Sequence, residues 1–268
     1  MTYSVQTVCT ADYYQNYIPF FVYSVKKALP EADITVFVRG RLNEQVAALY
    51  DANKINAKIL EDFCLDHPYN ISTTNALRFT DCAANKYHEY TLITDIDLIF
   101  LPQEPSIIYK FAKEAFDAKQ CFCGWHGPQD AKEERVVGGF FLITPEWLYR
   151  TKEARAKYSD LLKENVEGKY RESDEAVLCK ILKESGLPIP QSESFPTEYR
   201  GVHLGDFKFP GRWQNIELMK MFLTDANCKK YRELERDPGW EELVTSINDP
   251  TVDQQLINLD AHISQRGY

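Results

Sequence analysis

Three features of the chain predict an α/β fold with a mostly parallel, doubly wound central sheet and helices on both faces. Short β-rich runs alternate with helical stretches through the first half. Two runs, Tyr90–Thr94 and Val136–Ile143, are almost wholly apolar or β-branched, as strands covered on both faces must be. Tyr17, Phe20, Phe21, Ser24, Val25 and Ala28 recur at helical spacing soon after the first strand. In such a fold the crossovers are right-handed and ligands sit beyond the carboxyl ends of the strands.

Tyr3–Thr10 reads as the first strand, ending in the polar turn Ala11-Asp12, and the helix that follows carries Pro19 in its first turn, where a missing N–H costs little. Ile34–Val38 is the next strand. Asn43 is the expected cap of a helix through Tyr50, and Ala57–Leu60 a short strand. Ser72 caps an expected helix to about Lys86, before the strand Tyr90–Thr94, which runs into Asp95-Ile96-Asp97. A helix over Pro105–Phe116 and a strand near Cys121–Gly124 come next, then a loop over Trp125–Arg135 and the strand Val136–Ile143. Helices are expected over Pro145–Glu164 and Glu172–Lys183, and Pro188–Trp213 reads as irregular. From Asn215 the pattern is helical, with Ile216, Met219, Phe222 and Leu223 on one face and Trp240, Leu243, Val244 and Ile247 on another. The expected organisation is one α/β domain over 1–214 and a small helical C-terminal extension over 215–268 packed on it.

With 268 residues, 44% of them hydrophobic and 26% charged, the chain can bury one sizeable core. Its 31 basic residues against 40 acids give a net charge of −9, which disfavours nucleic acid and anionic membranes as partners. No run approaches the ~18 apolar residues of a membrane span, and Met1–Thr10 has neither the basic start nor the apolar stretch of a signal peptide. The expectation is a soluble, cytoplasmic protein. Seven scattered cysteines, including Cys121 and Cys123, complete neither a disulfide framework nor a zinc site and are expected as buried thiols.

Residues two apart in an extended segment point to one side, so Asp95 and Asp97 can aim two carboxylates at a single point. Such a pair suits a hard divalent cation that in turn holds a phosphate. Gly201–Lys208 adds a candidate imidazole ligand, His203, and a candidate phosphate contact, Lys208. Arg78 precedes Asp95 by 17 residues, and its guanidinium is a candidate diphosphate contact. The other histidines, His67, His88, His126 and His262, have no partner motif and are expected as structural or surface groups, His126 lying in a glycine-flanked loop.

In order and spacing these segments resemble the retaining glycosyltransferases of family eight, which include glycogenin-like enzymes and bacterial lipopolysaccharide sugar transferases. The resemblance covers about residues 5 to 213. Thr10-Ala11-Asp12-Tyr13 resembles that family's uridine-binding turn, Asn75–Arg78 its diphosphate-facing helix, and Asp95-Ile96-Asp97 its metal motif. Gly138-Gly139 resembles the strand beside the donor sugar, Asp174-Glu175 the segment near the anomeric carbon, and His203-x-Gly205-x-x-Lys208 the closing motif.

The resemblance implies a GT-A, Rossmann-like fold and a metal-dependent, retaining transfer of a hexose from a UDP-sugar (UDP-galactose, UDP-glucose or UDP-GlcNAc) to a hydroxyl acceptor such as a glycan. It implies Asp95, Asp97 and His203 as ligands of Mn2+, with Mg2+ as the alternative, and Asp174 and Glu175 as catalytic groups. Whether the sugar passes through a covalent carboxylate intermediate is left open by the sequence. The chain departs from the family pattern at Val137-Gly138-Gly139, commonly Asn-Ala-Gly, and at Glu175, commonly Gln.

Two rival readings stand beside it. A haloacid-dehalogenase-type phosphatase also ends a strand with Asp-x-Asp, but on its first strand and with Thr or Val where this chain has Ile99. A catalytically silent nucleotide-sugar-binding protein would keep the fold without the chemistry.

Overall fold

The computed structural model describes residues 2–50, 57–66, 74–82, 88–125, 134, 136–165, 172–190, 201–208 and 225–265. A six-stranded sheet forms the centre, in the order β3-β2-β1-β4-β7-β6. Its strands are β1 (Tyr3–Cys9), β2 (Asp33–Val38), β3 (Lys58–Leu60), β4 (Tyr90–Thr94), β6 (Phe122–Cys123) and β7 (Phe140–Ile143). Strands β3, β2, β1 and β4 pair in parallel, and β7 runs antiparallel to both β4 and β6. The mostly parallel α/β architecture expected from the sequence is therefore the one observed.

Alternation along the central strands sends side chains to both faces. Leu92, Phe140 and Leu142 join a core with the helix α1 (Ile18–Ala28), whereas Ile93, Phe141 and Ile143 join a second core beneath Tyr158, Val177 and Ile181. The first core also takes in Tyr231, Trp240, Leu256 and Leu259 from the C-terminal helices. The expected boundary between 214 and 215, and the face built from Ile216, Met219, Phe222 and Leu223, lie outside the described residues.

Local chemistry accounts for the other helices. The side chain of Asn43 accepts from Val46 N at the start of α2 (Glu44–Leu49), as expected. Next come α3 (Leu77–Thr80) and α4 (Ile107–Asp117), the latter capped by Ser106. The helix expected to reach Lys86 ends in α3 instead, because Arg155 Nη1 caps the Thr80 carbonyl at 3.1 Å and Asp81 turns aside to accept from Ser159; Ser72 and Lys86 lie outside the described residues. The helix expected over Pro145–Glu164 is two, α5 (Pro145–Arg150) and α6 (Lys152–Lys163). They part at Thr151, whose hydroxyl bonds back to the Trp147 carbonyl. Ser173 caps α7 (Asp174–Glu184), and the C-terminal helices are α8 (Asp225–Glu235), α9 (Pro238–Ser246) and α10 (Pro250–Gln265).

The strand expected from Val136 begins only at Phe140. Val137 N donates to the Trp125 carbonyl and Gly138 N to Glu175, so these amides leave the ladder for the site described below. All seven cysteines are free, six of them buried, in keeping with the expected unpaired thiols. His88 is buried against Asp33 and His262 against the Phe207 ring, while His67 and His126 lie outside the described residues. Among the described residues no helix is long and apolar enough to cross a membrane.

Candidate active site

Strands β1 and β4 are neighbours, but the chain leaves β1 toward β2 on the opposite side. The strand order therefore reverses between β1 and β4, and a crevice opens at their carboxyl ends, the usual ligand position of such sheets. A cavity of about 250 Å³ lies there, lined by Thr10, Tyr14, Asn75, Arg78, Asp95–Asp97, Asp174, Glu175 and His203 among others.

Backbone pairing sets the ligand geometry. After Asp97 the chain forms β5 (Leu98–Ile99), antiparallel to β8 (Val202–His203), with Leu98 opposite His203 and Leu204 N donating to the Asp97 carbonyl at 2.7 Å. Gly201 opens β8 at φ +76°, and a side chain there would strike the Ile99 carbonyl, so only glycine permits the pairing. His203 Nε2 stands 3.1 Å from Asp97 Oδ1 and 3.8 Å from Asp95 Oδ2. One donor atom from each of the three residues lies within 4.8 Å of the others. Two carboxylate oxygens and an imidazole nitrogen make a donor set that can hold a divalent cation of the Mn2+ or Mg2+ kind. On the far side of the ring, His203 Nδ1 is 3.3 Å from Asp206 Oδ2, the usual orienting partner of a ligating imidazole. Burial opposes the imidazolium, but Asp97 and Asp206 outweigh it and raise the pKa well above the ordinary value. A bound cation would take the place of that proton at Nε2.

Arg78, the expected diphosphate contact, lines the cavity with its charge engaged by two carboxylates. Its side chain is 7% exposed and it bridges Asp95 and Asp174, one nitrogen to each. Burial works against its charge, yet Asp95 and Asp174 hold it firmly protonated. The guanidinium thus orients one expected metal ligand and one expected catalytic carboxylate at once. Gly138 makes room for it, since a Cβ there would sit 2.8 Å from Arg78 Nη2. Gly139 does the same for Asp95, whose Oδ2 would be 2.6 Å from an added Cβ. Glu175 accepts from Gly138 N at 3.2 Å, and burial, reinforced by Asp174, pushes its pKa up.

Of the remaining expected residues, Thr10 and Ile96 also line the cavity. Thr10 donates to Asn75 Oδ1 at 2.9 Å. Ala11 is buried, with the Cys9 thiol on its carbonyl, and Asp12 is exposed at the start of the 3₁₀ helix Asp12–Tyr17. Tyr13 is half exposed, and Lys208 holds its ammonium 5.2 Å from the Tyr13 ring centroid. Gly205 lies inside the ligand cluster, where a Cβ would come within 2.5 Å of Asp97 Oδ2. Ile96, between the two aspartates, is buried in the first core. The roles of Asp206 and of the Arg78–Asp174 contact were not legible in the sequence, because both depend on which distant segments meet.

No protein-family model matches the chain, and no curated protein matches it. Among solved structures it is similar to the galactosyltransferase LgtC in complex with donor and acceptor sugar analogs, at 15% identity over 91% of this chain and 100% of that one, with a TM-score of 0.47. It is also similar to the glycosyltransferase GlyE of Streptococcus pneumoniae TIGR4, at 11% identity over 98% of this chain and 64% of that one (TM-score 0.49). The Mn/GDP form of core-mannan synthase A from Aspergillus fumigatus resembles it at 7% identity over 68% of this chain and 69% of that one (TM-score 0.46).

Proposed function

We propose that the protein is a metal-dependent, retaining glycosyltransferase that moves a hexose from a UDP-sugar to a hydroxyl acceptor such as a glycan. The observation that carries this reading is the charge of the cavity. Asp95, Asp97, Asp174 and Glu175 meet Arg78 and His203 at the reversal point of the sheet, and Arg78 is already engaged by two of the carboxylates. An anionic diphosphate is repelled from such a site unless a cation lies between, and the Asp95–Asp97–His203 group is built to hold one.

A divalent cation bound there supplies neutralisation of the charge that develops as the diphosphate leaves. In this reading Thr10 and the exposed Tyr13 border the nucleoside, and Lys208 adds a point charge at the mouth for the phosphates. Asp174, aligned by Arg78, and the buried Glu175 stabilise positive charge at the anomeric carbon. Arg78 acts through Asp95 and Asp174 and is a positioning residue.

The test is a panel of UDP-sugars incubated with Mn2+ and scored for UDP release, with and without hydroxyl acceptors. Mn2+-dependent release that is lost in Asp97→Asn supports the reading. Absence of release with every donor, together with hydrolysis of p-nitrophenyl phosphate, contradicts it and favours a phosphatase.

A further inference from the structure

The helix α10 (Pro250–Gln265) contributes no residue to the Asp95–Asp97–His203 group, yet it is tied to both walls of the candidate site. Gln255 is buried, and its Oε1 accepts from the Tyr17 hydroxyl at 2.6 Å. One turn on, Asn258 Nδ2 donates to the Phe207 carbonyl at 3.0 Å. Residues at i and i+3 share a face of a helix, so one surface of α10 holds both bonds. At its start, Asp249 accepts from Asn16 Nδ2 at 2.7 Å. Asn16 and Tyr17 end the 3₁₀ helix Asp12–Tyr17 on the Thr10 side, and Phe207 ends the 3₁₀ helix Leu204–Phe207, one residue before Lys208.

Between these anchor points the site wall is a chain of rings. Tyr17 lies 5.8 Å from Tyr14, Tyr14 lies 4.4 Å from Tyr13, and Tyr13 carries the Lys208 ammonium. Tyr14 lines the cavity itself. The two walls come from segments far apart in sequence, and each contains a short 3₁₀ piece, Asp12–Tyr17 in one and Leu204–Phe207 in the other.

We propose that Gln255 and Asn258 are positioning residues, through which α10 fixes the Thr10–Tyr17 wall against the His203–Lys208 wall at the spacing a nucleoside diphosphate must bridge. This rests on the functional reading above and extends it to residues outside the cavity. Asp97 and His203 are joined by the β5–β8 ladder and do not depend on α10 for their spacing. The inference therefore separates two affinities that a general loss of structure would lower together.

The experiment is calorimetry of Mn2+ alone, then of UDP in saturating Mn2+, on the wild type, Gln255→Leu, Asn258→Ala, Tyr17→Phe and the Tyr17→Phe/Gln255→Leu double variant. Mn2+ affinity is expected to hold within about twofold, while UDP affinity falls about tenfold in Gln255→Leu and in Asn258→Ala, the scale of one lost hydrogen bond. Tyr17→Phe should match Gln255→Leu, and the double variant should be no weaker than either. Wild-type UDP affinity retained in both Gln255→Leu and Asn258→Ala overturns the inference alone. Equal losses for Mn2+ and UDP also overturn it, in favour of a purely structural role. A wild type that binds Mn2+ but no UDP removes the functional reading and the inference with it.

Discussion

Asp97 and His203 stand 3.1 Å apart, and what holds them is main chain: Leu98 pairs with His203, and the Asp97 carbonyl accepts from Leu204. A ligand pair fixed by backbone hydrogen bonds is in place before any cation arrives, so little ordering is left to oppose binding. Gly205 is the residue that lets the two side chains approach.

Gly205→Ala is accordingly expected to weaken divalent-cation binding about ten- to hundredfold while leaving most of the thermal stability, because its Cβ would meet Asp97 Oδ2 at 2.5 Å and His203 Cε1 at 2.9 Å. Calorimetric titration with Mn2+ beside a melting curve checks this. An unchanged affinity would show that the two side chains yield freely.

Asp206 orients the imidazole from its other nitrogen. Asp206→Ala should lower Mn2+ affinity about tenfold without touching a ligand, again read by calorimetry. No change would mean that the β5–β8 ladder alone sets the ring.

Arg78 is buried between Asp95 and Asp174, so Arg78→Ala leaves two carboxylates without their cation. The expected loss of stability is about 3–5 kcal/mol by urea unfolding. Arg78→Lys keeps the charge but offers a single point where a fork is needed, and should recover only part of that loss. Full recovery by lysine would contradict the bridging geometry.

Glu175 gives a pH signature. Its pKa is raised in the folded state by burial and then by Asp174. The stability tied to its protonated form is therefore complete below the unfolded carboxylate range and is lost as pH rises through the raised value. Glu175→Gln keeps the acceptor for Gly138 N and cannot ionise, so it should melt higher than the wild type at pH 7, with the gap closing on acidification. Melting curves from pH 4 to pH 7 decide the matter; a variant that melts lower at pH 7 contradicts the assignment.

How far the sequence reached can be followed residue by residue. Asp95 and Asp97 are legible because their spacing and their place at the end of an apolar strand are local facts, and His203 because it shares the short segment Gly201–Lys208 with a lysine. Arg78 is legible by its spacing from Asp95, whereas its contact with Asp174 is not, since nothing in a linear chain shows that the start of α7 comes to rest beside α3. The strand expected from Val136 loses its first residues for the same reason, their amides being claimed by Glu175 and Trp125. Gln255 and Asn258 are not legible in the sequence, because the pattern of the C-terminal helices shows in their apolar faces, whereas these two make their contacts through polar atoms.

The cation is the hinge of the whole reading, and titrating the wild type, Asp97→Asn and His203→Ala with Mn2+ in the absence of any nucleotide tests it most directly. One Mn2+ bound per chain by the wild type, with affinity reduced at least tenfold in each variant, is the expected result. A wild type that takes up no divalent cation, or variants that bind it as tightly as the wild type, would contradict the assignment of Asp95, Asp97 and His203 as one metal site.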